Sequence, residues 1–135
     1  MEFATISHRL AVRGKGSFEL YAFLERLLEG VIARLGRDCV GHAKALAYLP
    51  TGRIYASTTE QPSAINFVPF GDVPIHITDA TVDVTCIFGN TTQQVLERAY
   101  DEALAQVQWP QIRIEEARYP GAAGWSVDEP DSGAP

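Results

Sequence analysis

RGKGS, residues 13–17, sets Arg13 and Lys15 among glycines directly ahead of a helical apolar pattern. Backbone N–H groups at a helix start, with two cations beside them, are chemistry for an anion. The phosphate-loop pattern G-x-x-x-x-G-K-[ST] is not met, because its first glycine and its Lys-Ser order are missing. Glu19 in the first turn would also compete with phosphate. A capped turn is the expectation here, and an anionic small molecule is the alternative. A second group, His42, Lys44 and Tyr55, shares one parity of two neighbouring strands and joins the candidate ligand site, with Lys44 beside Tyr55 or Thr59 as the pair for proton transfer.

Other chemistry finds less support. His8, His42 and His76 are far apart, and His76 and Asp79 fall on opposite faces of a strand, so no metal is expected. Ser57, His42 and Asp83 share a face, but the expected pairing sets His42 opposite Gln61, too far from Ser57 for a base to take its proton. No G-x-S-x-G elbow occurs. Cys39 and Cys86 show no C-x-x-C spacing and read as free thiols, with Cys86 a small core hydrophobe. No cofactor is expected.

These side chains need elements to hold them. Residues 3–12 alternate as a strand, with Ala4, Ile6, His8, Leu10 and Val12 on one face, and RGKG ends it. Over 17–35, Leu20, Phe23, Leu24, Leu27, Leu28, Val31 and Leu35 recur at three- and four-residue steps and line one side of a helix. Ser17 is the expected cap and Gly36 the expected stop. Gly30 inside the helix implies a close neighbour.

GHAKALAYLP, 41–50, separates small residues (Gly41, Ala43, Ala45, Ala47) from mixed ones (His42, Lys44, Leu46, Tyr48). With Thr51-Gly52 as the turn, strands 40–49 and 53–60 pair Leu49 with Ile54, Ala47 with Ala56 and Ala45 with Thr58. The alanine stripe makes room for the leucine face of the helix, and the mixed face turns outward.

Residues 61–76 carry three prolines and predict a loop or short edge strand; their Ile65, Phe67, Val68 and Phe70 would cover an edge or meet another subunit. Residues 77–88 form a strand. Thr91 and Gln94 suggest a capping box opening a helix over 91–107, with Val95, Leu96, Ala99, Tyr100, Ala103, Leu104 and Val107 on its apolar side. Residues 111–119 predict a last strand. Residues 120–135, rich in Gly and Pro and acidic, predict a disordered tail that Trp125 alone could dock.

The whole predicts one α+β domain over 1–119. It is a two-layer sandwich with two helices on one face of a mostly antiparallel sheet, in the order β-α-β-β-(β)-β-α-β, related to the ferredoxin-like class. The 135 residues carry a net charge of −6. Residues 1–53 hold eight Lys or Arg against five acids, and 54–135 hold three against twelve. That balance argues against nucleic acid and suits self-association through unlike faces. No apolar leader or membrane-length run is present, so a cytoplasmic protein is expected. The expected function is a non-catalytic, homo-oligomeric binding or assembly module. Its open sheet face supplies Leu46, Tyr48, Tyr55 and Ile87 to the interface, with Phe67 and Phe70 from the following segment. The alternative is a small enzyme or anion binder with a site between subunits.

Overall fold

A computed structural model describes residues 3–58 and 64–119. The elements are β1 (Phe3–Glu19), α1 (Leu20–Ala33), β2 (Val40–Tyr48), β3 (Gly52–Thr58), β4 (Ile65–Gly71), β5 (His76–Gly89), α2 (Gln93–Gln106) and β6 (Ile112–Tyr119). The α+β class is as expected. The six strands form one open sheet in the order β4-β3-β2-β5-β1-β6, antiparallel at every pairing.

Period-two alternation decides what each face holds. Leu10 stands opposite Val82, Val82 opposite Ala47, and Ala47 opposite Ile54. These four are fully buried, as are Ala43 and Ala56 and, nearly, Ala45. α1 packs on β2, β3 and β4, α2 packs on β1, and the helices pack on each other, so both cover this face. The alanine stripe lies beneath Leu20, Leu24, Leu27 and Leu28 in one core: the helix brings volume where the strands leave space.

Gly30 shows how close the helices come. A Cβ on it would stand 2.9 Å from the Ala103 Cβ, so the expected close neighbour is α2. Gly41 is required for another reason: its φ is +150°, and a Cβ would meet the Ile87 carbonyl at 1.9 Å.

Several local expectations are corrected. β1 does not stop at RGKG. It continues to Glu19 as an irregular bulge, with Arg13 opposite Asp79 and Phe18 opposite Ile77. The glycines are spent on bending a strand, so α1 begins at Leu20 and Ser17 is not its cap; Glu19 holds the N-cap position without a side-chain bond. α1 ends at Ala33, with Arg34 as a right-handed C-cap, and Gly36 has no positive φ. The second helix is capped by Thr92, not Thr91: the Val95 N–H donates to Thr92 Oγ1 at 3.1 Å. Val95 is exposed, off the buried side.

The hairpin register is two residues from the one expected. Ala47 pairs with Ile54 and Ala45 with Ala56, while Leu49 stays in the turn and donates to the Gly52 carbonyl at 2.8 Å. A slip of two preserves the faces. The 61–76 stretch contributes β4, an edge strand that carries Pro69. Gln61, Trp125 and the tail lie outside the described residues.

Candidate functional site

Among the described residues the second face of the sheet carries no helix. The register lays it out in rows across the strands. One row runs Arg9, Asp83, Leu46, Tyr55, Val68; the next runs Ala11, Thr81, Tyr48, Arg53, Phe70. A polar row of Ser7, Thr85, Lys44, Ser57 and Asn66 lies on the other side of the first. Beyond it, His42 stands beside Ile87, and Phe3 and Val40 flank Gly89.

Leu46, Tyr48, Tyr55, Val68 and Phe70 gather on β2, β3 and β4, while Phe3, Val40 and Ile87 lie at the other end of the face. Phe70 is 50% exposed, with the Arg53 guanidinium 5.7 Å from its ring centroid. Tyr48 and Val68 are exposed to 38% and 37%. On β1 and β5 the face is charged: Arg9 donates from Nε and Nη2 to the two carboxylate oxygens of Asp83, at 2.7 and 2.8 Å. A fork of this kind fixes geometry as well as charge. Burial raises the Tyr48 hydroxyl pKa, and the Asp83 carboxylate adds to the shift. Burial, then the charge of Lys44, lowers the His42 pKa.

The structure splits the candidate ligand set. His42, Lys44 and Tyr55 lie on the open face of the hairpin. Arg13 lies near the far end of β1, between Asp79 and Arg113. It is six residues from Ser7, which shares the row of Lys44, or about 20 Å along the strand. Lys15 sits in the bulge, its N–H donating to the Gln111 carbonyl at 2.7 Å. Ser57 stands opposite Lys44, and Asp83 is engaged by Arg9, so Ser57, His42 and Asp83 form no relay. Among the described residues no group of three metal-ligating side chains converges.

Of the candidate interface residues, Leu46, Tyr48, Tyr55, Ile87 and Phe70 share the open face. Phe67 does not: it stands opposite Ala56 on the covered side, its ring 5.0 Å from that of Tyr21 on α1. Both cysteines are free; Cys39 lies near the Asn90 carbonyl, and burial pushes the Cys86 thiol up to about 12.

One polar cluster was not foreseen. On the covered side, His8 is 4% exposed and stacks on Tyr100, ring centroids 4.5 Å apart and planes 25° from parallel. Glu116 and Arg118 reach it from β6 and Asp101 lies beside Arg118 on α2. The available signal was polar residues in apolar phase: His8 with Ile6 and Leu10, and Glu116 and Arg118 with Ile112 and Ile114.

No family model and no curated protein matches the sequence. Among solved structures, an amidase of the hydantoinase/carbamoylase family from Burkholderia phymatum is similar, at 15% identity and a TM-score of 0.48. The match covers 88% of this chain and 28% of that one, so this chain spans under a third of its length. Among the described residues no helix is long and apolar enough to cross a membrane.

Proposed function

We propose that this protein is a non-catalytic, homo-oligomeric binding or assembly module that joins copies of itself through the open face of its sheet. The observation that carries this reading is the apolar field of exposed Tyr48, Val68 and Phe70 around half-buried Leu46 and Tyr55, on a face without a helix among the described residues. Aromatic anchors inside a polar surround are the composition of an interface core. Six strands about 4.8 Å apart and about nine residues long give a face on the order of 700 Å². A standard interface takes about 800 Å² from each partner.

The edges of the sheet support the face as the contact. Ile54 stands opposite Pro69, which has no N–H. That pair therefore belongs to the non-bonded set, and the missing donor lies on the outer edge of β4. The opposite edge, β6, carries Arg113, Glu115, Glu116 and Arg118. Proline and charge both discourage strand addition. The order β2-β5-β1-β6, with helices after β1 and β5, supports a ferredoxin-like core to which β3 and β4 are appended. The separation of Arg13 and Lys15 from Lys44 leaves the anion-site alternative without a shared pocket.

Size-exclusion chromatography with light scattering tests the reading. The wild type is expected at a multiple of 14.8 kDa, and Tyr55→Glu at 14.8 kDa with its fold intact by circular dichroism. A monomeric wild type at 100 micromolar, about a hundredfold above a micromolar Kd, overturns it.

A further inference from the structure

His8 lies under α2 with neither ring nitrogen hydrogen-bonded to a described residue, and the Tyr100 hydroxyl above it faces the Glu116 carboxylate. Buried polar groups without partners are rare and costly. This one is ringed by ionisable groups. From β6, Glu116 Oε2 stands 3.7 Å from His8 Nδ1 and 3.1 Å from Arg118 Nε. From α2 come Tyr100, Asp101, which pairs with Arg118, and Glu97. From β5, Cys86 lies beside Tyr100, its thiol kept neutral by burial. Arg118 also lies over Tyr100, 5.7 Å from its ring centroid.

We propose that His8, Glu116 and Arg118 form a proton-operated latch that holds β6 on β1 and α2. With His8 neutral, Glu116 serves Arg118, and Arg118 ties β6 to Asp101 and Tyr100. A proton taken up from solvent at Nδ1 or Nε2 leaves the imidazolium with an N–H on each nitrogen. Glu116 then needs to move by only about 1 Å to accept a charge-assisted bond of about 2.8 Å from Nδ1. That movement draws Oε2 from Arg118 Nε and leaves only Oε1 accepting from Nη2, while the new positive charge repels Arg118. His8 and Arg118 stand opposite each other in the β1–β6 ladder, so the loosened point is the end of an edge strand. The latch is independent of the open-face reading, because the cluster lies on the covered side.

The direction in pH follows from the same groups. Burial first, then Arg118, lowers the His8 pKa below its usual 6.5, against the opposite pull of Glu116, Asp101 and Glu97. Stability from the neutral ring is therefore complete above about 6.5. It falls as pH drops from there to the lower folded midpoint, then levels off.

The test is NMR on the full chain between pH 4.5 and 8. It follows the His8 ring resonance and amide exchange corrected for intrinsic rates. The expected result is a His8 midpoint below 6.5. Below that midpoint, protection at Glu115 and Ala117, whose N–H groups face β1, should fall at least tenfold while Ala43 and Ala45 on β2 keep theirs. Glu116→Gln should lower the midpoint further and remove the β6 effect, and His8→Phe should abolish the pH dependence. Should His8→Phe not fold, His8→Gln and the wild-type titration still decide. A midpoint at or above 6.5, β6 protection indifferent to pH, or β2 and β6 opening together overturns the latch.

Discussion

On the covered face of the sheet, Ala43, Ala45, Ala47 and Ala56 meet the leucines of α1. On the open face their immediate neighbours Lys44, Leu46, Tyr48 and Tyr55 meet no described helix. The same strands supply both sets, one residue apart. The small residues are where the packing is tightest, and the large ones are where no described helix covers the strand. Side-chain size along β2 thus reports what lies above each face, not how apolar the face is.

Matched substitutions probe that contrast. Phe23→Ala, on the buried side of α1 at 0% exposure, is expected to cost about 3–5 kcal/mol in denaturant unfolding. A cost near that of a surface change would mean that the helix layer is not packed as described. Ala45→Leu asks the same question from the other side. It drives a larger side chain into filled space and should cost about 1–3 kcal/mol, read as a lower Tm. Phe70→Ala removes the same ring as the first variant, but from the open face. It should change monomer stability by only about 0.5 kcal/mol, while raising the concentration at which copies dissociate in light scattering. Equal losses from the two phenylalanines would erase the distinction between the faces.

The faces were legible in the sequence because strand alternation needs no knowledge of pairing. GHAKALAYLP places its alanines inward whichever strand lies beside it, and even a register error of two leaves them there. The helix stripes of α1 and α2 were legible for the same reason. What was not legible depended on distance. RGKGS looks like a turn until β5 is there to hold it as a bulge, and with the turn went Ser17 as a cap. The two cations at Arg13 and Lys15 then fell at the far end of the sheet from Lys44. His8, Tyr100 and Glu116 come together only when three elements close over one another, and no local spacing announces that.

β1 occupies an inner position, yet its ladder partners are β5 and β6, with Ile6 opposite Cys86 and Leu10 opposite Glu116. β2 pairs with β3 and β3 with β4, each the next strand in the chain. During synthesis the meander can therefore assemble while the first strand waits for more than half the protein to be made. Such long-range closure slows folding. The interval leaves an apolar strand unsheltered, the stretch of the molecule's life in which a chaperone has most to offer it.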